Sequence, residues 1–304
     1  MNDTLALDQH NNSYHHIKLS FPAPGVLELQ MNRPKKRNAF NVRHYTEIGH
    51  FFTHVAPALT QCRCILLTGA GPIFSAGIDL AGISEGGIGN VSSAGRSPNA
   101  DPIIKKAAGV LRNGGVWQRC HLAIHKCRKP VVCAIQKGCY GAALEMVCFA
   151  DIRMCTSDCV FQAPEVDLGF AADVGGNQML PKIIGNDSLL RELCLTGRTF
   201  GSQEAFSFGL VSRVCKDHQE LSQHALQVAT VIAAKSPVAT QGVKTMLNYT
   251  RDHSVEDSMV FGLAWNASMI QSNDTKIAGM AFMQKQVPVF PDAPVLDQEI
   301  PSKL

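Results

Sequence analysis

Apolar runs alternate with helical patterns over the first half of the chain. Two of the runs, 64–68 and Val131–Ile135, are almost wholly apolar, which predicts strands buried on both faces. Further strands are expected at Val26–Met31 and 152–155, and helices at 42–59 and 105–127. Strands that alternate with helices predict an α/β domain with parallel connections.

The pattern becomes helical after Pro237. Apolar residues at steps of three and four predict helices over 238–248, 255–272 and 274–286. We therefore expect a disordered polar lead (1–16), a core domain (17–236), a helical region (237–290) and an extended tail (291–304). Within the core, the segment 84–102 is rich in Gly, Ser and Pro, which predicts a long loop.

The composition excludes several classes of protein. Of 304 residues, 45% are hydrophobic and 17% are charged, which is typical of a folded chain. The formal net charge of +3 is too small for general nucleic-acid binding, and no apolar run reaches the roughly 18 residues of a membrane span. The eleven cysteines include no CxxC pair, so reduced structural thiols are expected.

Small residues follow the buried strand Val131–Ile135 and open the next predicted helix, at 138–146. A helix start presents free backbone N–H groups and favours negative charge, so an oxyanion is a candidate ligand there. Glu145 has apolar neighbours on both sides, which predicts a buried carboxyl. Such a carboxyl is either a partnered structural group or an acid-base with a raised pKa.

Two further carboxyls flank a predicted turn. Glu165 and Asp173 lie on either side of Gly169, and a bend there would let both face one cavity. The alternative for Asp173 is structural, because Asp is a favoured N-cap and a short helix is expected to begin near Gly175.

Three other motifs carry less chemical information. His121 and His125 have i, i+4 spacing but lack the Glu of a metalloprotease motif, so buried or surface histidines are expected. The basic cluster 33–37 is typical of a solvated turn, although it is also suited to a phosphate. After the strand 64–68, Gly69 to Gly71 lack the third glycine of a dinucleotide fingerprint, and Ser75 lacks the complete Gly-x-Ser-x-Gly pattern of a nucleophile elbow.

The last three residues have the sequence of a peroxisomal import signal. Ser302, Lys303 and Leu304 form this tripeptide, which an import receptor reads from a free carboxyl end. Pro288 and three prolines of the tail, at 291, 294 and 301, favour an extended chain, so we expect a peroxisome or a related organelle as the location.

Several segments together, in their order and spacing, resemble the crotonase (enoyl-CoA hydratase/isomerase) family from Ile17 to Phe290. The matching stretches are 32–34 with 38–40, 74–80, 129–135, 150–153, 196–198, 204–205 and 209–211. Within the family, the stretches 165–175, 236–239 and 251–255 are most similar to the Δ3,5-Δ2,4-dienoyl-CoA isomerases. This resemblance implies isomerisation of 3,5-dienoyl-CoA to 2,4-dienoyl-CoA in the β-oxidation of unsaturated fatty acids.

The resemblance also implies a fold, a substrate and an assembly. The fold is a spiral of ββα units followed by a helical trimerisation region, and the trimers commonly stack as hexamers. The substrate is an acyl-CoA thioester whose oxygen lies between the backbone N–H groups of Ile78 and Ala142. Ala76 would contact the adenine of CoA, whereas Phe282 and Lys285 would contact CoA from a neighbouring subunit.

The implied mechanism is proton transfer without a cofactor or metal. Glu165 would remove the C2 proton, and Asp173, held protonated by apolar surroundings, would donate at C6 while Glu145 orients the pair. Glu145 departs from the isomerase pattern, in which Asp is usual, and resembles the hydratases, so a 2-enoyl-CoA hydratase is the alternative. A non-catalytic acyl-CoA- or RNA-binding protein is a further alternative, based on the basic cluster 33–37 and on Ala142-Ala143.

Overall fold

A six-stranded sheet and a three-stranded sheet organise the protein. The computed structural model describes residues 3–79 and 102–292. Within these residues the strands are β1 (Ile17–Ala23), β2 (Val26–Met31), β3 (Cys64–Gly69), β4 (Val131–Ile135), β5 (Gly138–Tyr140), β6 (Ile152–Thr156), β7 (Val160–Gln162), β8 (Phe200–Gly201) and β9 (Arg213–Cys215). The larger sheet has the order β1-β2-β3-β4-β6-β9 and the smaller one β5-β7-β8.

Helices connect and cover these strands. They are α1 (Asp3–Ser13), α2 (Val42–His50), α3 (Ala56–Ala58), α4 (Pro102–Lys126), α5 (Ala142–Val147), α6 (Gly176–Met179), α7 (Asp187–Thr196), α8 (Ser202–Ser207), α9 (His218–Ala233), α10 (Pro237–Thr250), α11 (Val255–Met269) and α12 (Asn273–Met283). A π-helix, Phe51–Val55, continues α2, and 3-10 helices form at Pro34–Lys36, Pro164–Leu168 and Leu180–Lys182.

The larger sheet is buried on both faces because its strands alternate between two apolar layers. Leu27, Ile65 and Val131 point into the main core. Val26, Cys64 and Val132 point to the opposite face of the sheet and pack against α9. Every neighbouring pair from β2 to β9 is parallel, and only β1 pairs antiparallel, with β2. Burial on both faces accounts for the nearly continuous apolar runs in the sequence.

The connectivity reproduces the expected ββα unit. Strands β4 and β5 follow each other but enter different sheets, and so do β6 and β7, with helical segments after each pair. The predicted strands at Val26–Met31, 64–68, Val131–Ile135 and 152–155 are all confirmed, as are the helical stretches of both halves. The predicted loop lies outside the described residues except for its last residue, Pro102, which begins α4.

The amino-terminal lead differs from the prediction of disorder, because Asp3–Ser13 form helix α1. The side-chain amide of Asn11 accepts from the N–H of Leu19 at 2.8 Å and donates to its carbonyl oxygen at 2.9 Å. Leu7 is buried in the main core. These contacts with β1 stabilise a polar helix whose own sequence has little amphipathic pattern.

The carboxyl-terminal helices leave a large apolar surface uncovered. Helix α11 has no buried residue, and the side chains of Val255, Met259 and Leu263 are at least 71% exposed. In the tail, Arg63 donates to the carbonyl oxygen of Phe290 and pairs with Asp292, so these residues lie against the core domain. None of the described helices combines the length and apolar character that crossing a bilayer requires.

The cysteines belong to the interior. None of the eleven forms a disulfide, and ten of them are buried, with Cys194 partly exposed. Their distribution over the strands and helices of both apolar layers is typical of small hydrophobic residues.

Candidate active site

The segment 75–78 packs against the start of α5. Gly77 adopts a φ of +80°, and a Cβ on it would lie 2.5 Å from the carbonyl oxygen of Tyr140 and 3.7 Å from the nitrogen of Ala142. Among the described residues, neither the N–H of Ile78 nor that of Ala142 has a hydrogen-bond partner. The oxyanion-binding role that the family resemblance implies for these two groups stays a prediction.

A buried asparagine fixes this segment. The amide of Asn38 accepts from the N–H of Arg33 at 2.9 Å and donates to three carbonyl oxygens, those of Ala70, Ile73 and Phe74. The Ser75 hydroxyl in turn donates to the carbonyl oxygen of Asn38 at 2.9 Å. Since both side chains are completely buried, these bonds rigidly position the backbone that leads to Ile78.

The basic cluster borders the same segment. Arg33 pairs with Asp79 at 3.1 Å and also donates to the carbonyl oxygen of Ala39. Ala76 is half-buried, and its N–H donates to the carbonyl oxygen of Arg37 at 2.9 Å. Lys35, Lys36 and Arg37 are exposed, which leaves three cations next to Ala76.

Glu145 is a buried carboxyl in the first turn of α5. Its Oε2 accepts from the N–H of Gly176 at 2.6 Å and from that of Val174 at 3.2 Å. Burial raises the pKa of Glu145 to about 7, the two N–H donors act in the opposite direction, and Glu165 and Asp173 raise it further. The carboxyl is thus both a partnered group and one with a raised pKa.

Glu165 is the second buried carboxyl and lies in the 3-10 helix Pro164–Leu168. A Cβ on Gly141 would lie 3.0 Å from its Oε1, which places the carboxyl beside the start of α5. Its Oε2 is buried without a hydrogen-bond partner among the described residues. Burial raises the pKa of Glu165, as does the charge of Asp173. An unpaired carboxylate oxygen of this kind is suited to accepting a proton.

Asp173 differs from the sequence prediction in its surroundings. Its side chain is exposed, so the apolar environment expected to hold it protonated is absent from the isolated chain. The alternative role as an N-cap is also wrong, because Gly175 occupies that position of α6 and no side chain caps the helix. The charge of Asp173 nevertheless raises the pKa of both Glu145 and Glu165.

The segment that carries Asp173 also bounds a cavity of about 750 Å³. Residues of α4, α10 and α11 complete its wall, with Leu122, Phe149, Met179 and Trp265 among the apolar ones. Neither Glu145 nor Glu165 is among its lining residues.

Phe282 and Lys285 lie at the end of α12, and both are exposed. No contact within the described part of the chain joins them to the three carboxyls. The import tripeptide Ser302, Lys303 and Leu304 lies outside the described residues.

Two residues of the site were missed by sequence reasoning. Gln118 and His121, one helical turn apart on α4, bond to the carbonyl oxygens of Asp173 and Val174 at 2.7 Å each. The i, i+4 spacing of His121 and His125 drew attention to this helix, but nothing in the spacing indicated a partner more than 50 residues away.

The strand pairs divided between two sheets, with helical segments after each pair, agree with the crotonase-type fold that the resemblance implies. A model of the enoyl-CoA hydratase/isomerase family matches residues 23–108 and 112–293, and the chain belongs to this family.

Two relatives of the chain carry the name of one member of this family. The mouse protein named Delta(3,5)-Delta(2,4)-dienoyl-CoA isomerase, mitochondrial, is 39% identical over 91% of this chain and 82% of its own length. The Arabidopsis thaliana protein of the same name, designated peroxisomal, is 36% identical over 87% of this chain and 92% of its own. The crystal structure of an enoyl-CoA hydratase from Bacillus anthracis superposes with a TM-score of 0.79 at 24% identity, covering 91% of this chain and 99% of the other, which shows the shared fold.

Proposed function

We propose that the protein isomerises 3,5-dienoyl-CoA to 2,4-dienoyl-CoA by carboxylate proton transfer, as part of the β-oxidation of unsaturated fatty acids. The observation that carries this proposal is that Glu145 accepts from the N–H of Val174, the residue after Asp173, while the carboxyl of Glu165 lies beside Gly141 at the start of α5. The names of the mouse and Arabidopsis relatives support the same activity.

The first step is removal of a proton from C2. The thioester oxygen accepts hydrogen bonds from the N–H groups of Ile78 and Ala142, which stabilise the negative charge that develops there. Each such donor typically contributes about 3 kcal/mol to stabilising the transition state. Glu165 takes the C2 proton, because its Oε2 is buried and unpaired. No cofactor or metal takes part in the proposed step.

The second step returns a proton at C6. The resulting trienolate spreads its charge to C6, where protonation by Asp173 leaves the double bonds at C2 and C4. Glu165 then holds one proton more than before and Asp173 one fewer, and return of that proton through solvent or between the carboxyls resets the site. Since Asp173 is exposed in the isolated chain, the acyl chain or a neighbouring subunit must exclude water during this step.

A second candidate function is hydration of 2-enoyl-CoA. The pair Glu145 and Glu165 favours it, because two buried carboxyls can hold and activate a water molecule. Asp173 favours the isomerase, because it adds a proton donor where a hydratase needs none. A non-catalytic acyl-CoA-binding role has less support, since the site retains all three carboxyls.

Parallel assays distinguish these functions. The purified protein is given a 2-enoyl-CoA and a 3,5-dienoyl-CoA under the same conditions, and the conjugated-diene absorbance reports the isomerase reaction. The isomerase proposal requires much faster turnover of the dienoyl substrate. Faster hydration of the 2-enoyl substrate makes the hydratase the correct function, and no turnover of either indicates a binding protein.

We also propose that the helical region assembles the chain into trimers, or into hexamers made of two trimers. Val255, Met259 and Leu263 on α11 and Phe282 on α12 form an exposed apolar surface that association would bury. Phe282 and Lys285 would then contact the CoA of a neighbouring subunit. Light scattering measures the assembly, and a monomer at micromolar concentration contradicts the proposal.

For the location we propose the peroxisome. The support is the tripeptide Ser302, Lys303 and Leu304 together with the peroxisomal designation of the Arabidopsis relative, whereas the mouse relative is designated mitochondrial. An amino-terminally tagged chain lacking the three residues should remain in the cytosol. Continued entry into peroxisomes, or entry of the full chain into mitochondria, contradicts this location.

A further inference from the structure

Two side chains of α4 bond to the segment Asp173–Gly176, which carries Asp173 and donates to Glu145. The Nε2 of Gln118 donates to the carbonyl oxygen of Asp173, and the ring of His121 bonds to the carbonyl oxygen of Val174, both at 2.7 Å. Residues three apart lie on the same face of a helix, so both bonds reach consecutive residues of one segment.

The tautomer of His121 follows from its partner. A carbonyl oxygen accepts hydrogen bonds and does not donate them, so the Nδ1 of His121 carries the proton. The ring is completely buried and packs between Tyr45 and Phe149, with centroid separations of 5.5 and 5.4 Å. Burial lowers the pKa of His121 to about 4, so the imidazole is a neutral, fixed donor near neutral pH.

The other side of the same segment holds Glu145. The N–H groups of Val174 and Gly176 both donate to its Oε2, at 3.2 and 2.6 Å. Val174 therefore accepts from His121 through its carbonyl group and donates to Glu145 through its N–H. Movement of this residue would change the hydrogen bonding of Glu145 and the direction of the neighbouring Asp173 side chain.

We propose that Gln118 and His121 are positioning residues, which fix the Asp173–Gly176 segment so that Asp173 reaches the substrate and Glu145 keeps both N–H donors. Neither residue touches the reacting atoms in this proposal. It rests on the proposed isomerase function for its kinetic consequences, whereas its structural consequences are independent of the reaction.

The test compares variants that separate hydrogen bonding from packing. In His121→Asn the side-chain N–H₂ occupies the place of Nδ1 and restores the donor, whereas His121→Leu removes it and retains bulk. Gln118→Met removes the second donor from an exposed position, where folding tolerates the change. Arg119→Met is the matched control, because Arg119 is exposed on the same helix and has no described bond to the segment.

The kinetic readout is the turnover of 3,5-dienoyl-CoA. We expect kcat to fall about 100-fold in His121→Leu, since a misplacement of about 1 Å in an active site has an effect of that order. KM should change less than threefold, because the CoA portion binds elsewhere. His121→Asn should remain within about fivefold of the unmodified protein, because it restores the donor to the carbonyl oxygen of Val174.

Hydrogen–deuterium exchange gives the readout that does not depend on activity. The amides of Val174 and Gly176 should exchange at least tenfold faster in His121→Leu and Gln118→Met, and at the unmodified rate in Arg119→Met. Equal exchange and equal kcat in His121→Leu and His121→Asn overturn the proposal, because packing alone would then explain the residue. An unmodified protein without dienoyl turnover overturns the proposed function, while the exchange rates still decide the positioning role.

Discussion

The backbone N–H of Gly176 donates to the Oε2 of Glu145 over 2.6 Å, and this approach leaves no room for a side chain on residue 176. A Cβ there would lie 2.6 Å from the Cγ of Glu145 and 2.9 Å from its Oε2. The backbone of Gly176 does not have a positive φ, so it is the contact with the carboxyl that requires glycine. The position of Glu145 therefore depends on a residue 31 positions further along the chain.

Gly176→Ala should displace the Glu145 carboxyl and lower kcat for 3,5-dienoyl-CoA by about 100-fold, through lost positioning. The control is Gly185→Ala, because a Cβ on Gly185 meets nothing within 4 Å. Steady-state kinetics of both variants measure the effect. Equal activity in the two variants would show that Glu145 tolerates displacement.

Glu165→Gln should abolish the base while keeping the size of the side chain. We expect kcat to fall by about 10³-fold, which lies within the range of general acid–base catalysis. Because burial raises the pKa of Glu165, the acid limb of kcat/KM in the unmodified protein should lie above the ordinary pKa of a glutamate. A Gln variant with a near-normal rate would refute the assignment of the base.

Asp173→Gly and Asp173→Asn test the proton donor. Both should lose dienoyl isomerisation, because neither can protonate C6, yet CoA binding measured by calorimetry should change little. Since Asp173 is exposed, the variants should unfold at the temperature of the unmodified protein. Retention of isomerase activity in Asp173→Asn would remove Asp173 from the mechanism.

Glu145→Gln should stabilise the protein at neutral pH. The pKa of Glu145 rises from 4.5 to about 7 on folding, so its contribution to stability is complete below pH 4.5 and is lost as the pH rises towards 7. The variant does not incur this loss. Its gain over the unmodified protein should grow between pH 4.5 and 7 to a limit on the order of 3 kcal/mol and then remain constant. Chemical denaturation at four pH values measures the free energy of unfolding of both proteins. A gain in stability that is independent of pH would contradict the raised pKa of Glu145 as its cause.

The local pattern of apolar and polar residues was sufficient to predict most of the fold. The run Val131–Ile135 is entirely apolar and is a strand buried on both faces, as predicted. Helix α1 could not be predicted, since it depends on the bonds of Asn11 to Leu19 and not on its own periodicity. The family-based expectation of a dienoyl-CoA isomerase agrees with the names of the mouse and Arabidopsis relatives.

The burial of the candidate residues was predicted correctly for Glu145 and not for Asp173, and the roles of the three carboxyls stay predictions. Apolar neighbours correctly indicated that Glu145 is buried. The apolar surroundings expected for Asp173 in the implied mechanism are not found, because exposure is decided by tertiary packing and its side chain is exposed. The partners of Glu145 and His121 lie 29 to 53 residues away, a separation that sequence periodicity does not report.

Because most of its cysteines are buried, labelling of the thiols can be used to follow the opening of the protein interior. Burial raises the pKa of Cys120 and Cys133 well above that of a free thiol, so in the folded protein neither forms the reactive thiolate at neutral pH. Only the partly exposed Cys194 is open to a thiol reagent without an opening of the core. The rate at which the other ten thiols become labelled therefore measures how often the interior opens.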